Sequence, residues 1–167
     1  MVRLAVTSED PMHKHILMPT DGSELSQNAV DYGMALAKSV KAKVTVLTVS
    51  TPFRAFVVEP GLVTDTLDQY QERTAALAKQ YLDAATASAA ALGVTCETLH
   101  VVHDEPYRAI IDTAARNACD LIVMASHGRR GVVAIMLGSE TVKVLTHSTI
   151  PVLVFRAPHY NPLSVSS

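Results

Sequence analysis

Tryptophan is absent from this chain, and the aromatics together make up 5% of its 167 residues. The core must therefore be built from Val, Leu, Ile, Ala and Met, a mix that suits helices layered on a buried parallel sheet. Cysteine is scarce as well. Cys96 and Cys119 form no C-x-x-C pair and sit in apolar stretches, so they read as small buried residues in keeping with a reducing compartment. No charge of one sign dominates: 14 Lys and Arg stand against 16 Asp and Glu, a formal net charge of −2. No basic block stands out, which argues against RNA or DNA as a partner.

Long apolar runs are missing too. None approaches the ~18–20 residues needed to span a bilayer, so no membrane association is expected. The stretch from Met1 to His15 lacks the apolar core of a signal peptide, because Ser8, Glu9 and Asp10 interrupt it. The expectation is a soluble, cytoplasmic protein. Common nucleotide signatures are also missing. No G-x-x-x-x-G-K followed by Ser or Thr occurs, which excludes a Walker-type NTPase, and no G-x-G-x-x-G follows the first strand.

What is present is an apolar fraction of 49% in a length that suits one domain. Residues 1–14 and 157–167 carry few anchoring apolar groups and read as an N-terminal extension and a C-terminal tail around a domain at 15–156. Ile16-Leu17-Met18, stopped by Pro19, predicts a buried strand, and Ser23 a helix cap. Ala29, Gly33, Leu36 and Val40 recur at helical spacing, widened by Val30, Met34 and Ala37, with Lys38 and Lys41 near the helix end. Val44 to Val49 predicts a second strand, and Thr51 to Val63, with two prolines and a glycine, an irregular loop.

A long helix follows, its apolar face placed on Leu67, Tyr70, Leu77, Tyr81, Ala84, Ser88 and Leu92, with Gly93 as its stop. Val94 to Val102 alternates and reads as an edge strand with one wetter face. Pro106 opens a helix buried through Ile110, Ile111, Ala114 and Ala115. Leu121 to Ala125 is a continuous apolar strand, Gly138-Ser139 opens the last helix, and Val152 to Phe155 is the final strand. Strands alternating with helices argue an α/β fold: a five-stranded parallel sheet, doubly wound, with helices on both faces. Such sheets bind ligands at the carboxyl ends of strands, where the strand order reverses. With the first strand central, that point lies between the strands ending at Met18 and Met124.

Two polar segments follow those strands. They are Thr20-Asp21-Gly22-Ser23, and Ser126-His127-Gly128-Arg129-Arg130-Gly131 leading to Gly138-Ser139-Glu140-Thr141. Glycines let backbone N–H groups approach an anion, and a helix N-terminus adds unpaired donors and a favourable dipole. Gly138-Ser139 is therefore a candidate phosphate seat. Ionised Asp21 only accepts hydrogen bonds and suits an adenine amino group or ribose hydroxyls. The same residues are also ordinary turn and cap chemistry. The pairs His13/His15 and His100/His103 have no cysteine or carboxylate set beside them, so no metal site is expected. His127 lacks a nucleophile with a third orienting group and reads as a loop or pocket residue, so no catalytic residue is assigned.

At these residues the chain resembles the universal stress protein family. Nucleotide-binding members carry G-x-x-G, nine residues, then Gly with Ser or Thr. Here Ala125-Ser126-His127-Gly128 is followed by nine residues and Gly138-Ser139. The flanks Asp120 to Met124 and Ser148 to Val154, and the opening Ile16 to Ser23, match as well. The resemblance implies an adenine-nucleotide alpha-hydrolase-like fold with strand order 3-2-1-4-5. It implies a pocket in which Pro19, Thr20 and Asp21 face the base, with Val49, Met124 and Ala125 lining it and His127 in the same segment. Gly128, Gly138, Ser139, Glu140 and Thr141 would hold phosphates, with Arg129 and Arg130 beside them. The ligand implied is ATP, or ADP or AMP, with Mg held mainly by the phosphates.

A homodimer through the last strand, at Val152 and Val154, and a stress-response or sensing role without dedicated catalysis are implied too. Ala125 replaces the family's first glycine, a change that matters only where positive φ or very close contact is required. Asp104-Glu105-Pro106 stands where the family often has Gly-x-Pro, implying no more than a different lead into the helix. Two alternatives remain open at this point: a slow ATP hydrolase, and a nucleotide-free interaction dimer with a vestigial pocket.

Overall fold

The computed structural model describes residues 11–53, 66–127 and 137–156. Most of the expected Thr51–Val63 loop, Gly128, Arg129, Arg130 and the two terminal extensions up to Asp10 and from 157 lie outside the described residues. The elements run β1 (His15–Pro19), α1 (Glu24–Val40), β2 (Lys43–Ser50), α2 (Leu67–Leu92), β3 (Cys96–Val102), α3 (Pro106–Arg116), β4 (Leu121–Ala125), α4 (Ser139–His147) and β5 (Val152–Phe155). The strands form one sheet in the order β3-β2-β1-β4-β5, and every pairing is parallel.

Local chemistry accounts for the boundaries. The Ser23 side chain accepts from the Ser26 amide and starts α1, whose end turns through Lys41 at φ 57°. Thr66 and Gln69 form a reciprocal capping box on α2, and Gly93 ends it at φ 70°. Pro106 sits in the first turn of α3, where its missing N–H removes no helical bond.

Both faces of the sheet are covered, and the two-residue period of the strands divides the core. Ile16 and Met18 of β1, Val44 and Val46 of β2, and Leu121 and Val123 of β4 pack with α1 and α2. Leu17, Leu47, Ile122 and Met124 point the other way, against Tyr107, Ile110 and Ala114 of α3 and Val144 of α4. Double coverage explains why these strands read as unbroken apolar runs. The edge strand β3 has four exposed residues and three half-buried ones, the wetter character its alternation predicts.

The helix faces differ from expectation in detail. The buried stripe of α2 is Ala78, Leu82, Ala85 and Ala89, turned by about one residue, roughly 100°, from the expected one. Leu67, Leu77 and Ala84 are exposed, while Tyr70, Tyr81, Ser88 and Leu92 lie at the margin. Small alanines let the helix sit close on the sheet, so the bulkier side chains flank the contact rather than fill it. In α1 the burial centres on Val30, Met34 and Ala37, with Leu36 and Val40 half-buried. Ala115 of α3, expected inside, is exposed. No helix among the described residues is long and apolar enough to cross a membrane.

Candidate functional site

The chain reverses its direction of winding between β1 and β4, and a cleft of about 570 Å³ opens there at the carboxyl ends of the strands. Pro19, Thr20 and Asp21 follow β1 and line one side, with Val49 from the end of β2. Met124, Ala125 and His127 form the floor at the end of β4. Gly138, Ser139, Glu140 and Thr141, the cap and first turn of α4, close the other side. Two segments more than a hundred positions apart in sequence thus face one another across a single cavity. Of the sequence-assigned residues, Gly128, Arg129 and Arg130 lie outside the described residues.

Each of these side chains has a definite local setting. Thr20 is 5% exposed, its hydroxyl shared between Ser26 Oγ at 3.0 Å and the Gly22 amide at 3.2 Å. It therefore braces the turn from beneath. Asp21 Oδ1 accepts from the Ser23 amide at 3.0 Å and from Ser23 Oγ at 2.6 Å. This Asx-type turn fixes the carboxylate at the cleft. Gly22 completes the turn with φ 74°, and the Tyr81 ring of α2 lies where a side chain would be.

On the opposite wall, Gly138 is the N-cap of α4 with no side-chain capping bond. Its amide donates to the Ser126 carbonyl at 2.8 Å. Its φ of −63° is open to any residue, so the reason for glycine is proximity. A Cβ there would come within 3.1 Å of His127 Cα and 3.2 Å of His127 Cβ. The amides of Ser139, Glu140 and Thr141 precede the first helical bond, from Val142 to the Gly138 carbonyl, and belong to the donor-rich end of α4.

Two side chains of this wall are engaged within the protein. The Thr141 hydroxyl, assigned to phosphate, donates to the Ala125 carbonyl at 3.1 Å, and Thr141 is 3% exposed. The Glu140 carboxylate bonds the Tyr107 amide at 2.9 Å and Lys143 at 2.9 Å. Both side chains are engaged with the protein, so an anion at this wall would meet backbone N–H groups and Ser139. Ala125 lies in β4 and is not among the residues with positive φ, so its methyl meets no backbone constraint.

Sequence reasoning missed Ser26, Leu47, Thr51, Asp104, Pro106 and Ile110, which also line the cleft. Asp104 and Pro106 were visible as a departure from Gly-x-Pro, read only as a different lead into α3. Leu47, inside an apolar strand, offered no signal. His127 Nδ1 lies 3.2 Å from Ser126 Oγ. No group of three or more His, Cys, Asp or Glu able to hold a metal occurs among the described residues.

A sequence model of the universal stress protein family matches residues 12–156. The chain belongs to the universal stress protein family. It is similar to universal stress protein YxiE of Bacillus subtilis (strain 168), with 32% identity over 152 residues, covering 87% of this chain and 100% of that protein. Among solved structures it is similar to MJ0577 of Methanocaldococcus jannaschii, at 27% identity and a TM-score of 0.71, covering 89% of this chain and 99% of that one. A universal stress protein solved in complex with cAMP is 25% identical, with a TM-score of 0.63, covering 86% of this chain and 97% of that chain. These structures have the adenine-nucleotide alpha-hydrolase-like fold, which this chain shares with its strands in the order 3-2-1-4-5.

Proposed function

We propose that this universal stress protein binds an adenine nucleotide in the cleft between β1 and β4 and serves a stress-response or sensing role without dedicated catalysis. The observation that carries the reading is the facing of Asp21 and the α4 N-terminus across one cavity. The cavity has a carboxylate acceptor at one side, apolar lining from Val49, Met124 and Ala125, and helix-end donors at the other. An adenine suits the first two surfaces and a phosphate the third. The relative that binds cAMP supports the same ligand class.

In this reading the phosphates lie against the backbone of Gly138 to Thr141 and the Ser139 hydroxyl, with Gly128, Arg129 and Arg130 completing the loop. ATP, ADP and AMP are all candidates, and Mg accompanies the longer phosphate tails. The cytoplasm is the proposed compartment, in keeping with the two free thiols Cys96 and Cys119. The proposed assembly is a homodimer through β5. That strand is an edge of the sheet and its four residues are half-buried, the form of edge that a second copy can extend. Sedimentation of the purified protein should give a dimer that Val154→Asp dissociates.

Calorimetric titration with ATP, ADP, AMP and cAMP, with and without magnesium, tests the ligand. Micromolar or tighter binding of at least one is expected, with a loss of at least tenfold in Gly138→Val, whose side chain would push α4 away from His127. No binding of any of the four, or full affinity in Gly138→Val, would contradict the site.

A further inference from the structure

The first turn of α3 is not capped by its own residues. Glu105 stands at the N-cap with no side-chain bond to a helix amide, its carboxylate instead pairing with Arg108 Nε at 3.0 Å, and Pro106 has no N–H. The amides of Arg108 and Ala109 both donate to the Glu105 carbonyl, at 3.1 and 3.2 Å. That leaves the Tyr107 amide, and it donates to Glu140 Oε2 at 2.9 Å, from a residue 33 positions away in the first turn of α4. The second oxygen, Oε1, accepts from Lys143 Nζ at 2.9 Å. Lys143 in turn lies 5.3 Å from the centre of the Tyr107 ring. The carboxylate, carried by the first turn of α4, thus caps the N-terminal end of α3. Glu140 also lines the cleft, together with Asp21 and Asp104, and among the described residues that lining holds no Lys or Arg.

We propose that the Glu140 carboxylate is a charge selector: a resident anion on the wall of the cleft that disfavours ligands whose phosphate tail carries more charge than one phosphate group. The inference rests on the reading of the cleft as an adenine-nucleotide site. Its physical basis is local. A carboxylate on the wall of the cleft, reduced in effect by its Lys143 partner, opposes a phosphate held at the α4 N-terminus, and the opposition grows with each charge the ligand adds. The carboxylate is not at liberty to turn aside, because doing so strands the Tyr107 amide and releases Lys143. Nucleoside monophosphates and cyclic monophosphates are therefore favoured over ATP to a degree that the helix end alone would not produce.

The test is calorimetry of AMP, cAMP and ATP in magnesium-free buffer with wild type, Glu140→Gln and Asp112→Asn. The glutamine keeps an oxygen for the Tyr107 amide and removes only the charge. Asp112 is exposed on α3 and does not line the cleft, so Asp112→Asn controls for net charge. Glu140→Gln should raise ATP affinity at least tenfold, well below the roughly thousandfold of an unpaired unit charge 4 Å from a phosphate near a protein surface because Lys143 already pairs with the carboxylate, and change AMP affinity less than threefold. Asp112→Asn should leave the ATP-to-AMP affinity ratio unchanged.

Salt supplies a second readout. Salt screens the Glu140 repulsion, so the gap in ATP-to-AMP ratio between Glu140→Gln and wild type should narrow with added KCl. An unchanged ratio in Glu140→Gln, an equal rise in Asp112→Asn, or a gap that widens with salt overturns the selector while leaving nucleotide binding intact. Failure of all three ligands to bind wild type and variant alike overturns the nucleotide reading, and the selector with it.

Discussion

The Thr141 hydroxyl donates to the Ala125 carbonyl at 3.1 Å, and this bond ties the first turn of α4 to the end of β4. Both residues are buried, at 3% and 7% exposure. Thr141→Val keeps the shape and removes the donor from a buried carbonyl, so it should destabilise the protein by about 1–2 kcal/mol in urea unfolding. Thr141→Ser, which keeps the hydroxyl, should recover most of that loss. Full stability in Thr141→Val, with the loss confined to Thr141→Ser, would show that the methyl packing, not the bond, matters.

Gly22 and Gly93 share a left-handed backbone, at φ 74° and 70°, but not their surroundings. A side chain at Gly93 meets nothing within 4 Å, whereas one at Gly22 would overlap the Tyr81 ring. Gly93→Ala should therefore carry only the backbone term, about 1–2 kcal/mol, and Gly22→Ala distinctly more. Placing Gly22→Ala in a Tyr81→Ala background should reduce its effect toward that of Gly93→Ala. Unfolding curves that rank the two glycine variants equally would contradict the contact.

His15 is 4% exposed and fully engaged: its Nδ1–H donates to the Asn117 carbonyl at 2.9 Å and its Nε2 accepts from Thr45 Oγ1 at 2.8 Å. Burial, and then the Lys43 charge, lower its pKa, opposed by the Asn117 bond and the Glu97 and Asp120 carboxylates. The unfolded chain therefore takes up a proton near pH 6.5 that the folded one refuses. Stability should fall as pH drops below about 6.5, through a window that closes at the lower folded value. Urea titrations at pH 7.5 and 5.5 should show a smaller pH dependence in His15→Gln than in wild type. An identical dependence in both would place the effect elsewhere.

Burial pushes the Cys119 thiol up to about 11, with the Asp120 charge adding to it, and the residue is 5% exposed. At pH 8 it should not react with Ellman's reagent in the native protein and should react promptly after unfolding. Rapid labelling of Cys119 under native conditions, read by mass spectrometry, would show that this end of β4 opens readily.

Much of the fold is written in short-range signals. Ser23, Gly93, Pro106 and Gly138 each act within a few residues of themselves, and each marks a helix boundary where expected. The strands announce themselves because both of their faces are covered, and the parallel order follows from the alternation of strands and helices. The face of α2 was not legible, since its contact is made by three alanines and Leu82, while Leu67, Leu77 and the tyrosines lie outside it. In the cleft, the strand-end position of Asp21 and the helix start at Gly138 could be read from chain order. The engagement of Thr141 with Ala125 and of Glu140 with Tyr107 could not, because each joins residues brought together only by folding. Gly138 itself was singled out for the close approach of an anion to a helix start. Its smallness matters because His127 lies beside it.

The most direct test of the central claim is the amide spectrum of the labelled protein during titration with AMP. The account predicts shifts concentrated at Asp21, Val49, Ala125, Ser139 and Glu140, with residues at the far ends of the strands, such as His15 and Leu121, unmoved. Saturating shifts centred on those far ends, or no shifts at millimolar AMP, would contradict it.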